Sequence, residues 1–250
     1  MSGTATRGRG RIGVLVPFTN VNLEPDLAML APRGVSIHAA RLGGYDEDAV
    51  PDEVQMAGLG ASELAGPLQL LAGARPDVIL YGCTSATLAH GPAFDQALAE
   101  RAAEIAGAPV VTAAGALVAG CRALGVRRVA FASPYVPSLA DRAVAYLAQE
   151  GIETVSRAGP ETDLGNHEQG ALTPSDVFAL GRRADSAEAE AIVLSCTDMR
   201  AVETLDALEE ATGKPVLASN QAMIRAALPH LGIAPDTVRC GRLFRERAMA

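Results

Sequence analysis

The sequence predicts an α/β protein of two similar lobes, each a parallel β-sheet flanked by helices, the two related by a pseudo-two-fold axis. Three observations carry this. Short runs rich in Val and Ile alternate with longer stretches of helical spacing along the chain. Most of those runs are apolar without a break, as strands covered on both faces must be. The chain also repeats itself: Cys196 follows Cys83 by 113 positions, Pro215 follows Pro109 by 106, and Pro134 follows Pro17 by 117. A repeat of this length suits two lobes rather than a solenoid.

The expected strands are Ile12–Val16, Val35–Ala39, Val78–Tyr81, Val110–Thr112, Arg128–Ala132, Glu153–Ser156, Ile192–Leu194 and Pro215–Ala218. Each is too short to be a helix. Between them, helical spacing covers Gly58–Gly73, Pro92–Ala106, Ala114–Leu124, Leu139–Gln149, Pro174–Ala187 and Ala201–Ala211. Local echoes support the duplication. Ala106-Gly107-Ala108-Pro109-Val110-Val111 matches Thr212-Gly213-Lys214-Pro215-Val216-Leu217, and Ile12–Val16 with Pro17 matches Val129–Ser133 with Pro134. The segment after Pro215 has no later counterpart and is expected to cross back. The expected division is residues 1–115 plus 217–250 for the first lobe and 116–216 for the second.

With 49% apolar and 20% charged residues, the 250-residue chain has the composition of a soluble globular protein. Its net charge of −8 argues against a nucleic-acid or anionic-membrane partner. The one dense basic stretch, Arg7-Gly8-Arg9-Gly10-Arg11, reads as a flexible N-terminal arm. No apolar segment of signal-peptide length follows it, and the uncharged stretch from Ile105 to Cys121 is broken by Gly and Pro. A cytoplasmic protein with four free thiols is the expectation. Without a Cys-x-x-Cys pair, and with four scattered histidines, no metal is expected. The histidines read as surface or packing residues. Gly8-x-Gly10-x-x-Gly13 is no dinucleotide fingerprint, because it precedes a strand instead of following one.

The chemistry lies at the strand ends, where parallel sheets bind ligands. Val78-Ile79-Leu80-Tyr81 runs into Gly82-Cys83-Thr84-Ser85, and Ala191-Ile192-Val193-Leu194 runs into Ser195-Cys196-Thr197-Asp198. A thiol at the start of a helix can be activated as thiolate at neutral pH. Thr84, Ser85 and Thr197 can cap those helices or donate to an anion. Cys121 and Cys240 lack such a setting. Asn20, Tyr135 and Asn166 sit in other strand-end loops and offer neutral donors for a carboxylate. Ser219-Asn220-Gln221 reads as a helix cap.

From Ile12 to about Ile233 the chain resembles the aspartate/glutamate racemase superfamily, in its maleate cis–trans isomerase and arylmalonate decarboxylase branch. The resemblance rests on Ile12-Gly13-Val14-Leu15-Val16-Pro17 with Asn20 and Glu24, on Gly82-Cys83-Thr84-Ser85, Pro134-Tyr135, Gly165-Asn166 and Ser195-Cys196-Thr197, and on Ser219-Asn220-Gln221-Ala222. It implies a cofactor-free, two-lobed enzyme, often a homodimer, with its site between the lobes. It further implies Cys83 as nucleophile, Cys196 as acid/base, and Asn20, Tyr135 and Asn166 as carboxylate ligands. The decarboxylases of this branch replace the first cysteine by glycine, so Cys83 favours isomerisation of a small unsaturated dicarboxylate. Three alternatives stay open: a cofactor-independent amino-acid or hydantoin racemase, for which Asp198 is the one candidate ammonium partner, a related decarboxylase, and a binding protein without catalysis.

Overall fold

The structure, a computed structural model, describes residues 8–245. The first half runs β1 (Gly10–Pro17), α1 (Leu23–Leu30), β2 (Val35–Leu42), α2 (Glu53–Gly60), α3 (Ala65–Ala72), β3 (Val78–Tyr81), α4 (Thr84–Leu88), α5 (Pro92–Ala106) and β4 (Val110–Thr112). Next come α6 (Ala113–Ala123), β5 (Arg128–Ala132), α7 (Pro137–Gln149), β6 (Glu153–Ala158), α8 (Asn166–Gly170) and α9 (Pro174–Ala184). The chain continues with β7 (Ala191–Leu194), α10 (Leu205–Thr212), β8 (Val216–Ala218) and α11 (Ser219–Ala227). Strand order is β2-β1-β3-β4 in one sheet and β6-β5-β7-β8 in the other, with every pair parallel. The two topologies are the same, which places β3 and β7, and therefore Cys83 and Cys196, at equivalent positions.

Local chemistry explains the elements. β3 and β7 are buried at every residue, which their unbroken apolar character requires. Each fully buried Val, Ile or Leu there contributes about 1.5–3 kcal/mol. The Thr112 side chain caps α6 by accepting from Gly115 N, and Thr173 and Asp176 form a capping box on α9 behind Pro174. Gly107 ends α5 in the left-handed conformation at φ 67°.

Three expectations change. The helix expected over Gly58–Gly73 is two helices, α2 and α3. Pro67 has no N–H and fits only the first turn of a helix, so a new helix starts at Ala65, whose N–H is taken by the Glu63 carboxylate. The helix expected over Ala201–Ala211 opens as a 3₁₀ turn, Val202–Thr204, before α10. The basic N-terminal stretch is no arm where it is described. Gly10 and Arg11 belong to β1, Arg9 N bonds Gly34 O at 3.0 Å, and Arg11 N bonds the Asp77 carboxylate at 2.8 Å. Pairing with β2 from Gly10 onward draws these residues into the sheet. Arg7 lies outside the described residues.

β8 pairs with β7, and the chain crosses after it, with α11 packing on α6, α1, β3 and β4. Among the described residues no helix is long and apolar enough to cross a membrane.

The turn from β3 to α4 depends on Gly82. Its N–H donates to Leu15 O at 2.9 Å, and a Cβ there would fall 2.3 Å from Leu23 Cδ2 and 2.6 Å from Leu15 O. Gly82→Ala is therefore expected to cost about 1–3 kcal/mol or more, read as a lower urea midpoint at unchanged m-value. A variant as stable as the parent would refute this packing account.

Candidate active site

Cys83 lies between β3 and α4, and Cys196 follows β7 by one residue. Both side chains line one cavity of about 40 Å3 between the sheets. Asn20, Ser85, Tyr135, Asn166 and Thr197 line it too, together with Thr19, Tyr45, Pro51, Met56, Gln169 and Asp198. Among the described residues that line it, none is Lys or Arg. The polar lining consists of neutral donors and one carboxylate.

The segments beside the two thiols are hydrogen-bonded to each other. Thr197 Oγ1 donates to Gly82 O at 2.9 Å, and Asn20 Nδ2 donates to Thr197 Oγ1 at 3.1 Å. The residue after one cysteine thus holds the residue before the other. Asn20 Oδ1 accepts from Asn22 N and Leu23 N at 3.1 and 2.9 Å, which fixes the start of α1 to the same point. Tyr135 Oη and Ser195 Oγ lie 3.3 Å apart.

Thr84 is placed differently from its neighbours. It is buried, does not line the cavity, and donates to Ser219 Oγ at 2.9 Å. Ser219-Asn220-Gln221 does more than cap a helix. Gln221 does cap, accepting from Ala218 N, whereas Asn220 reaches Asp26 and Thr197. Asn166 Nδ2 donates to Glu47 O and Ala49 O, at 3.3 and 3.1 Å. It thereby ties the loop after β2 across the cavity, and Tyr45 and Pro51 of that loop form part of the roof. Tyr45 Oη is 2.6 Å from Thr19 Oγ1, and its ring packs on Phe18 with centroids 4.8 Å apart.

Sequence reasoning missed Tyr45, Pro51, Met56, Leu139 and Gln169 as lining residues. Gln169 had a signal, one helical turn beyond Asn166, and its Oε1 lies 4.0 Å from Cys196 Sγ. Nothing local marks the others, which arrive by tertiary folding.

Burial works against one expectation. The strand ends, where a turn or helix begins, were expected to make thiolate available at neutral pH; only Cys83 stands at a helix start, since Cys196 leads into a turn with no helical residue before Val202, and both thiols are pushed above the usual cysteine range. Desolvation is the leading cause for each. Cys83 is pulled back by the Ser85 hydroxyl, 3.6 Å away, and by the Ala86 and Ser85 N–H groups. Cys196 is pushed further by the Asp198 charge, against which Asp198 N–H donates at 3.4 Å. Desolvation also raises Asp198 to about 6, opposed by N–H donors on Val21 and Asn22. Asp198 Oδ1 accepts from Val21 N, Asn22 N and Asn22 Nδ2 at 2.9–3.1 Å. Burial keeps Tyr135 protonated, hence a donor.

Two parallel sheets of one topology, each supplying a thiol to a shared cavity, define a racemase-type α/β scaffold. The chain belongs to the arylmalonate decarboxylase family, whose model matches residues 12–244. It is similar to the maleate isomerase of Nocardia farcinica (strain IFM 10152), at 34% identity over 96% of this chain and 97% of that protein. It is also similar to the arylmalonate decarboxylase of Bordetella bronchiseptica, at 30% identity over 93% of this chain and 92% of that protein. A cysteine-to-serine mutant of the Nocardia farcinica maleate cis-trans isomerase has been solved with a covalently bound succinylcysteine intermediate. This chain superposes on it with a TM-score of 0.85 and 32% identity, covering 95% of this chain and 99% of that one.

The raised thiols make a direct prediction. Only thiolate reacts with iodoacetamide, so Cys83 and Cys196 should alkylate slowly at pH 7 and faster with each step toward and beyond pH 9, Cys83 ahead of Cys196. Rates already at a plateau by pH 7 would show that the burial effect has been misjudged.

Proposed function

We propose that this protein is a cofactor-independent maleate cis–trans isomerase in which Cys83 is the nucleophile and Cys196 the acid/base. The observation that carries it is the pair of equivalent thiols in one small cavity of neutral donors, on a scaffold shared with maleate isomerases. At about 10–15 Å3 per water, 40 Å3 holds about three waters, which restricts the ligand to a small molecule.

The environments divide the roles. Backbone N–H groups favour and Asp198 disfavours the thiolate on both cysteines, but Asp198 is the second cause on Cys196 and a minor one on Cys83, which alone has a hydroxyl, that of Ser85, beside it. Cys83 thiolate adds to one alkene carbon of maleate, forming a C–S bond while the π pair moves toward the far carboxylate. Cys196 S–H gives its proton to the neighbouring carbon, leaving a succinyl thioether and Cys196 thiolate. The former double bond is now single and rotates. Cys196 thiolate takes the proton back, the C–S pair returns to Cys83, and fumarate leaves. This is covalent catalysis with general acid–base assistance. Asn20, Tyr135 and Ser85 are the donors available to the carboxylates, whose charge they stabilise as it builds, while Asn166, expected as a further carboxylate ligand, gives both amide hydrogens to Glu47 O and Ala49 O and shapes the cavity instead. Because the cavity is lined by no cation among its described residues, preorganised neutral dipoles carry that work.

The racemase alternative needs an anion for the substrate ammonium. Asp198 was its candidate, but Asp198 Oδ1 already accepts three protein N–H bonds. Cys83 stands against the decarboxylase reading, since that chemistry is expected with glycine there. The reading extends to a homodimer in a reducing cytoplasm. Four cysteines free of disulfides support the compartment, and exposed Val21, Met29, Val50, Val54 and Leu70, all in the first lobe, support an apolar contact surface. Sedimentation at micromolar concentration reads the oligomeric state.

Maleate is expected to give fumarate by NMR, with a succinyl-sized mass on Cys83. Cys83→Ala should lose both, and Cys196→Ser should turn over about 10²–10⁴-fold more slowly while accumulating the adduct. Maleate turnover at the parent rate in Cys83→Ala would rule out the nucleophile. Deuterium exchange at an amino-acid α-carbon, with no fumarate formed, would favour the racemase.

A further inference from the structure

Asp26 is a buried carboxylate that the reaction above does not use. It lies in α1, is 2% exposed, and among the described residues its side chain accepts one hydrogen bond, at 2.7 Å from Asn220 Nδ2. The cation facing it, Arg200, is engaged by both carboxylate oxygens of Glu203 at 2.8 and 2.7 Å. The other titratable groups facing it are Glu203 and Asp198, from the segment after β7, and Cys240, from the C-terminal segment. Holding a carboxylate there without a cation of its own works against stability.

Asn220 shows what the carboxylate accomplishes. Its Nδ2 also donates to Thr197 O at 2.9 Å, so its two amide hydrogens go to Asp26 and to Thr197. Its Oδ1 is buried with no partner among the described residues. Flipping the amide would set that oxygen against two oxygens, so the Asp26 carboxylate holds the amide in the observed orientation. Thr197 follows Cys196, and its hydroxyl donates to Gly82 O, next to Cys83. One side-chain amide therefore links Asp26 to the segment that sets the two thiols against each other.

We propose that Asp26 is a positioning residue: as the carboxylate it orients the Asn220 amide, which fixes Thr197 and, through it, Cys196 relative to Cys83. This rests on the two-thiol reading given above.

Burial, opposed by the Asn220 bond, raises Asp26 to about 7 from its ordinary 3.8. The folded protein thus prefers the neutral carboxyl. The stability tied to Asp26 is full below its ordinary value and is lost as pH rises through about 7. The oriented amide is best held by the charged form. Stability and positioning therefore run in opposite directions with pH.

The test is Asp26→Asn in the full chain, from pH 6 to 9. At pH 8 the variant is expected to melt higher than the parent. Its kcat on maleate should be about tenfold lower at unchanged KM, and the parent's rise in kcat through pH 7 should be absent. Iodoacetamide alkylation of Cys196, followed by peptide mass spectrometry, reads the same positioning without substrate. The parent's rate should bend near pH 7, and the variant's should not. Asn220→Ala, which keeps Asp26 and removes the link, should lose the same bend. A lower melting temperature in Asp26→Asn with both pH profiles unchanged would make Asp26 a purely structural residue and overturn the proposal. If the parent does not turn over maleate but the alkylation bend is lost in the variants, the positioning role stands and the maleate reading fails.

Discussion

The hydrogen bond from Thr197 Oγ1 to Gly82 O is the constraint around which the site is built. It joins the turn after β7 to the turn after β3, so neither thiol can move without the other turn responding. Gly82 makes the approach possible, because its missing side chain leaves room for Leu23 and the Leu15 carbonyl. Asn20 closes the same junction from the end of β1, bonding Thr197 on one side and the start of α1 on the other. Asp198 repeats the device one residue later, holding Val21 and Asn22 from across the cleft. Polar contacts of this kind, buried or part-buried, specify a geometry that apolar packing alone leaves degenerate.

The cleft faces a conflict between reactivity and exclusion of water. Burying two thiols strengthens every dipole that points at the substrate. The same burial penalises the thiolate that must attack. The chain answers with an asymmetry between otherwise equivalent positions. Both thiols meet backbone N–H donors and the Asp198 charge, but Cys83 has the Ser85 hydroxyl as its main favourable partner, while Cys196 has Asp198 as its main opposing one. The matching topologies provide two equivalent thiols, and the residues two positions downstream, Ser85 and Asp198, make them unequal.

Much of this was visible beforehand for a physical reason. β3 and β7 are buried on both faces, so their sequences carry an unbroken apolar signal, and the cysteines stand at the ends of those signals. Asn20 and Tyr135 likewise occupy strand-end loops, the ligand side of any parallel sheet, while Asn166, expected in such a loop, is the first residue of α8. Pro51, Met56 and Leu139 were not legible, because they reach the cavity from loops and helices whose local sequence says nothing of the neighbour they meet. Thr84 and Asn166 were legible as polar residues near the site, but not in their partners. Thr84 turns to Ser219, and Asn166 spends its amide on the loop after β2.

By itself the sequence determined the class of fold, the strand framework, the equivalence of the two thiols and the family. These depend on periodicity, turn chemistry and short motifs, all of which are local. Tertiary structure alone decided the electrostatics. The thiols, expected to be acidic at their strand ends, are made less acidic by burial among residues from both halves of the chain. It also decided that Asp198, while lining the cavity, anchors Val21 and Asn22 across the cleft through one carboxylate oxygen, and that Asp26 and Asn220, far apart in the chain, meet behind Thr197. Desolvation and cross-lobe hydrogen bonds depend on what folds against a residue, and no window of sequence contains that neighbour.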